Sequence, residues 1–175
     1  MPSAEATQAP WQACYEQLAP RLLLFARQWL PSGADAEDAV QTAFIRFWQK
    51  NPSAQPEHYP LLYATVRSTA IDMVRSNGRR AIREERFHAH LDPGPAFFES
   101  SLEQRDESDR LQAALQQLPP EQRETLVLRI WGELSFAEIA TTLGESINTV
   151  AARHRYALQA LRRILRPNEN ERVRV

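Results

Sequence analysis

Toward the C-terminal end of the chain, Asn148, Ala152, Arg155, Gln159 and Arg163 recur at a spacing that an α-helix brings to one side, with Thr149, Arg153 and Tyr156 on the flanks. That side points away from Val150 and Leu161. Arginine forks match guanine edges and phosphates, and Asn and Gln amides match adenine edges. The chemistry on offer is therefore nucleic-acid readout by a helix lying in a major groove. The plainer alternative is the solvated face of a helical hairpin. A second group lies upstream: Tyr63, Arg67, Ser68, Asp72 and Arg75, followed by Arg79, Arg80, Arg83 and Arg86. Aromatic rings beside such a cationic run can stack on unpaired bases while guanidinium groups hold phosphates. The alternative pairs those arginines with Glu84 and Glu85. In a third group, Ile45 and Trp48 fall beside Asp38, Gln41 and Thr42. Apolar residues within a polar rim suit a protein docking patch, or a surface covered by a neighbouring helix of the same domain.

Enzymatic chemistry has little to build on. His88, His90 and Asp92 could serve a metal-dependent hydrolase, but no ligand set has the right spacing and no nucleophile comes with a base and an orienter. Neither a metal nor a cofactor is expected. Cys14 is the single cysteine, so no internal disulfide can form, in keeping with a reducing compartment.

The elements that must position these groups can be read from periodicity. Leu134 to Leu165 reads LSFAEIATTLGESINTVAARHRYALQALRRIL, two helical patterns separated by a short turn. Ser135 and Glu138 form a capping box, and Phe136, Ile139, Ala140 and Leu143 face inward. Gly144 supplies the turn, and Ser146 caps a second helix with Ile147, Val150, Ala157, Leu158 and Leu161 inward. This is a helix-turn-helix. Before it, the first nine residues read as a loose end. A helix then runs from about Trp11 to Leu30 through Cys14, Leu18, Leu22, Phe25 and Trp29, with Pro20 placed to kink or split it. Asp35 opens a helix with Val40, Ala43, Phe44 and Phe47 inward. Residues 51 to 58 form a loop. Another helix spans Leu61 to Asn77 with Leu62, Val66, Ala70, Met73 and Val74 inward, and Asn77 and Gly78 make a turn. From His88 the chain loses periodicity and reads as a linker. Helical spacing returns from Glu103 to Gln117 through Leu111, Ala114, Leu115 and Leu118. Pro120 then opens a helix with Leu126, Val127 and Ile130 inward, stopped by Gly132.

Composition sets the bounds. With 175 residues, 43% hydrophobic and 25% charged, the chain is ordinarily globular and forms one domain or two small ones. No apolar run is long enough for a bilayer and no signal segment opens the sequence, so a cytoplasmic location is expected. The net charge of −1 argues against a nucleic-acid partner until its distribution is seen. Residues 1–87 carry ten Arg or Lys against nine Asp or Glu, residues 88–110 two against six, and residues 111–175 nine against seven. Two mildly basic ends joined by an acidic segment suggest two binding modules and a linker.

Almost the whole chain resembles a bacterial RNA polymerase sigma factor of the extracytoplasmic-function group. DAEDAVQTAFIRFW, Asp35 to Trp48, resembles the region 2 helix that docks on polymerase. LYATVRSTAIDMVRSNGRR, Leu62 to Arg80, resembles the segment that recognises and melts the −10 element. ALQQLPPEQRETLVLRIWGELSFAEIATTLGESINTVAAR, Ala114 to Arg153, resembles region 4, whose recognition helix reads the −35 element. The resemblance implies an all-α protein of two small helical domains, region 2 at 10–87 and region 4 at 111–167, joined by a flexible acidic linker at 88–110. It implies a promoter-specificity subunit without enzymatic activity. The −35 contacts would fall to Asn148, Thr149, Ala152, Arg153, Arg155, Tyr156 and Gln159, and the −10 contacts to Tyr63, Arg67, Ser68, Arg75, Arg79, Arg80 and Arg83. Polymerase docking, on the clamp coiled coil of the largest subunit, would use Asp35, Asp38, Gln41, Thr42, Ile45 and Trp48. Promoter DNA is the other partner, an anti-sigma factor is usual for the group, and the free chain is expected to be a monomer. The sequence departs from its relatives at Ser68, commonly Asn, at His154, usually apolar, and at Ala151 and Ala152, often longer and polar. A stand-alone dimeric regulator using the same helix-turn-helix is the competing reading.

Overall fold

A computed structural model describes residues 5–83 and 110–165, with side chains described from 12 to 78 and from 110 to 165. All regular structure among these residues is helical, and the chain divides into two units, Met1–Pro95 and Ala96–Val175.

In the first unit three helices pack on one another: α1 (Glu5–Ala26), α2 (Gly33–Lys50) and α3 (Tyr59–Arg83), with a 3₁₀ turn at Pro56–His58 before α3. The α1 face built from Cys14, Leu18, Leu22, Phe25 and Ala26 is buried, and Leu30 closes the turn beyond it. Three expectations about α1 are corrected. It begins at Glu5, inside the stretch read as a loose end, and it runs unbroken through Pro20. Pro20 lies on the exposed side, where water can take the carbonyl that the missing N–H leaves open. The helix stops at Ala26, earlier than Leu30. The N–H groups of Trp29 and Leu30 both bond to the Ala26 carbonyl at 3.1 Å, and Pro31 bars continuation.

The Ser32 hydroxyl caps α2 by accepting the Asp35 N–H at 3.3 Å, and Asn51 closes the other end with its side-chain amide on the Phe47 carbonyl at 2.9 Å. Ala36, Ala39 and Ala43 are buried together with Val40, Phe44 and Phe47. The small residues let helices approach and the rings fill the remaining volume. Tyr15 meets Phe44 edge-on with centroids 4.9 Å apart, and Phe25 meets Trp29 at 4.9 Å and Tyr63 at 5.5 Å. These edge-to-face pairs suit the ring quadrupoles.

The expected turn at Asn77 and Gly78 is absent, because α3 continues to Arg83. Arginine and alanine beyond Gly78 are good helix formers, and propagation through one glycine costs only about 1 kcal/mol. Val74, read as inward, is exposed. At 1.5 Å per residue α3 is about 37 Å long and α2 about 27 Å, so the distal part of α3 outruns its packing partner. Residues 74–78 are all exposed there.

The second unit contains α4, described over residues 110–116, α5 (Pro120–Ile130), α6 (Phe136–Leu143) and α7 (Ile147–Leu165). Leu115, Leu118, Leu126 and Ala157 form a buried cluster joining α4, α5 and α7, with Leu111, Trp131, Leu158, Leu161 and Ile164 packed around it. Pro120 takes the first position of α5, where no N–H is needed. At its other end the Gly132 N–H bonds to the Val127 carbonyl at 3.1 Å and the Leu134 N–H to the Leu128 carbonyl at 3.2 Å. The chain therefore doubles back over Leu128, which is buried, and leaves Ile130, read as inward, exposed. Gly132 is required for space, since a Cβ there would lie 2.5 Å from the Leu128 carbonyl oxygen, while the left-handed residue is Glu133, at φ 57°.

Candidate nucleic-acid interface

The helix-turn-helix of α6 and α7 is closed by local hydrogen bonds that its sequence dictates. The Ser135 hydroxyl accepts the Glu138 N–H at 3.2 Å, and the Glu138 carboxylate accepts the Ser135 N–H at 2.7 Å. Gly144 ends α6 at φ 68° and ψ 34°, a left-handed conformation that glycine enters without steric cost, and the Glu145 N–H returns to the Ala140 carbonyl at 3.0 Å. The Ser146 hydroxyl then accepts the Thr149 N–H at 3.0 Å and starts α7. Val150, fully buried, fixes α7 to its neighbours.

The capping box carries a pH signature. The Ser135 hydroxyl first, and then the Ser135 backbone N–H, hold the Glu138 carboxyl below its ordinary pKa. A depressed folded-state pKa means stability that is fully present above the ordinary carboxylate value and lost as pH falls through the lowered one. Glu138→Gln should therefore be less stable than wild type at pH 7, with the gap in melting temperature closing on acidification to about pH 3, as thermal unfolding at the two pH values will show.

On α7 the expected outward face is largely as read. Asn148, Arg155, Gln159 and Arg163 are exposed, with exposed Tyr156 beside them, while Thr149 and Ala152 are half-buried. The Arg155 guanidinium lies over the Tyr156 ring at 5.1 Å and donates to its hydroxyl at 3.4 Å. Ile147 departs from the reading: taken as inward, it is 52% exposed, because it opens the helix one turn before Val150 reaches the core. His154 is half-buried, its ring 5.3 Å from that of Phe136. Burial, and then the neighbouring Arg129, lower its pKa and keep the imidazole neutral at pH 7. Arg129 also lies over the Phe136 ring at 5.2 Å and donates to the Leu134 carbonyl at 2.9 Å, so it holds the approach to α6. Neither Arg129 nor Glu145, which pairs with Arg153 at 2.8 Å, was singled out from sequence. An acid placed in the turn just before a helix was the available sign for Glu145.

On α3 one assignment is overturned. Tyr63, expected on the outer side with the −10 residues, is 1% exposed and packs against Phe25. Its position one residue after Leu62 falls within the arc that meets α1 and α2, and its ring is needed to fill the space there. Ser68 and Arg75 are exposed and Arg67 is half-buried. The Ser68 hydroxyl donates to the Thr65 carbonyl at 3.0 Å, and Arg75 lies 4.0 Å from Asp72. The backbones of Arg79, Arg80 and Arg83 belong to α3, but their side chains lie outside the described residues, as do Arg86, the trio His88, His90 and Asp92, and the segment 88–109.

On α2, Asp38, Gln41 and Ile45 are exposed, whereas Asp35, Thr42 and Trp48 are half-buried. The Trp48 ring leans over Phe44 and Phe47, at 6.2 and 6.1 Å, and its indole N–H is buried without a hydrogen-bond partner among the described residues. Among the described residues no three of His, Cys, Asp and Glu converge to hold a metal ion, and no helix is long and apolar enough to cross a membrane.

A helix-turn-helix unit with a polar, arginine-bearing helix face, joined in one chain to a three-helix unit, defines a DNA-binding architecture of two all-α domains. Comparison with known proteins gives the class its family. Residues 14–80 match the family Sigma-70 region 2, and residues 108–161 match Sigma-70, region 4. The ECF RNA polymerase sigma factor SigE of Mycolicibacterium smegmatis is 34% identical over 172 residues, which are 95% of this chain and 66% of that protein. The RNA polymerase sigma-E factor of Streptomyces avermitilis is 33% identical over 141 residues, covering 81% of this chain and 76% of that one. The solved structure of the sigma factor RpoE from Bartonella quintana, in complex with the anti-sigma factor NepR, superposes with a TM-score of 0.68 at 23% identity over 91% of this chain and 99% of that one. That of CnrH in complex with the cytosolic domain of CnrY gives 0.63 at 22% identity, covering 95% and 96%. The chain belongs to the sigma-70 family of non-catalytic transcription initiation factors, in its extracytoplasmic-function group.

Proposed function

We propose that this chain is a cytoplasmic promoter-specificity subunit that binds core RNA polymerase and directs initiation at promoters defined by −35 and −10 elements, without enzymatic activity of its own. Residues 10–87 act as region 2, 88–110 as an acidic linker and 111–167 as region 4. The observation that carries this reading is α7: Val150 and Ala157 are fully buried while Asn148, Arg155 and Gln159 stand exposed on the opposite face of a capped helix-turn-helix. A helix so held can enter the −35 major groove, with Arg155 on guanine edges or phosphates and the amides on adenine edges. Thr149, Ala152 and Tyr156 complete that surface.

Helix α3 supplies the −10 surface through Arg67 and Ser68 in its middle and Arg75, Arg79, Arg80 and Arg83 in its distal part. Arginines grip phosphates of the separated strand and offset the few kcal/mol that each extruded base costs. Core polymerase docks on the α2 side that carries Asp35, Asp38, Gln41, Thr42, Ile45 and Trp48, where exposed Ile45 is the apolar centre of a polar rim. Tethering to polymerase raises the effective concentration of both DNA-binding units at the promoter, so a chain of net charge −1 needs no strong basic patch. The two solved relatives carry anti-sigma partners in their complexes, and this supports an anti-sigma factor as a further partner here.

Arg155→Ala tests the assignment: −35 binding should weaken by about 1–3 kcal/mol while affinity for core polymerase stays unchanged. Titrating a −35 duplex against the reconstituted holoenzyme, beside a core-binding titration, reads both. Equal loss in the two titrations would refute it.

A further inference from the structure

We infer that Arg153 is a positioning residue and not a DNA contact: its ion pair with Glu145 straps the helix-turn-helix turn to the recognition helix and sets the angle at which Asn148, Arg155 and Gln159 meet the groove. The inference rests on the reading of α7 as the −35 helix.

Glu145 is anchored before it reaches out. It follows Gly144, and its N–H is tied to the Ala140 carbonyl of α6 at 3.0 Å, so its backbone belongs to the end of that helix. Its carboxylate then spans eight residues to take the Arg153 guanidinium at 2.8 Å, in the second turn of α7. The result is a bond from the end of one helix to the body of the next, across the turn whose geometry decides their crossing.

Shielding sets this pair apart from an ordinary surface contact. The Arg153 and Glu145 side chains are 25% and 36% exposed, whereas those of Arg75 and Asp72, 4.0 Å apart on α3, are 72% and 71% exposed. A short, charge-assisted bond in partial shelter is stronger and less screened than a solvated one. Two consequences follow for DNA. The Arg153 charge is already balanced, and a phosphate brought to it would meet the Glu145 carboxylate as well. Counting along the helix, Arg153 also lies about 160° around from Arg155, on a flank that is only about 60° from buried Val150.

The test uses reconstituted holoenzyme on a duplex carrying a −35 element selected by the wild type and on the same duplex with that element scrambled. Wild type, Glu145→Ala, Arg153→Glu, the double variant Glu145→Arg/Arg153→Glu and Arg155→Ala are compared at several salt concentrations. Glu145→Ala should lower the preference for the intact element about three- to fivefold and leave the salt slope unchanged. Arg155→Ala should flatten that slope by about 1. Arg153→Glu should lose the preference, and exchanging the two charges should restore it to within about twofold of wild type. Tighter binding by Glu145→Ala would mean that a freed Arg153 reaches phosphate, and a double variant no better than Arg153→Glu would mean that arginine itself is needed there; either overturns the inference alone. A wild type that ignores the scrambled element removes the reading of α7, and the inference with it.

Discussion

Tyr63→Ala should cost the first unit about 3–5 kcal/mol, the usual loss when a fully buried aromatic side chain is cut to a methyl group. The ring is 1% exposed and packs 5.5 Å from Phe25, so truncation opens a cavity between α3 and α1 that neither backbone can close. Small domains hold only about 5–15 kcal/mol in all, so this one substitution comes close to unfolding the unit. Urea denaturation followed by circular dichroism gives the number. A Tyr63→Ala chain of undiminished stability that still fails to open promoters would return the ring to the surface and make it a base platform after all.

Leu126→Ala should be the second large effect, about 2–5 kcal/mol, and confined to the other unit. Leu126 is fully buried where α4, α5 and α7 meet, against Leu115, Leu118 and Ala157. Losing it loosens the platform on which α7 rests, so −35 binding falls with stability while core polymerase affinity, assigned to α2, is retained. Calorimetry should show the transition of residues 96–175 moving down and that of residues 1–95 staying in place. A common downward shift of both would show that the two units unfold as one.

The difference between what the sequence revealed and what it hid lies in the range of the interactions. Ser135, Glu138, Gly144 and Ser146 act on backbone groups within a few residues, so the helix-turn-helix was legible from its residue types alone. The buried stripe of Val40, Ala43, Phe44 and Phe47 was legible too, because its period is that of one helix. Tyr63 was not, since facing in or out depended on where Phe25 of another helix would stand. Val74, Ile130 and Ile147 share another cause: each continues an apolar period beyond the reach of the neighbours that would cover it, Ile130 and Ile147 at helix ends and Val74 where α3 outruns its packing partner. Asn77 and Gly78 have turn chemistry, yet the helix formers downstream of them prevail. The Glu145 and Arg153 pair crosses a turn, where neither helical nor strand periodicity brings residues together.

Transcription by purified core polymerase on a library of genomic fragments, with and without this chain, is the most direct test of whether it confers promoter choice. Added chain should start transcripts at a small set of sites sharing a −35 and a −10 element, and scrambling either element should abolish them. Start sites unchanged by the chain, or kept after both elements are scrambled, would contradict it.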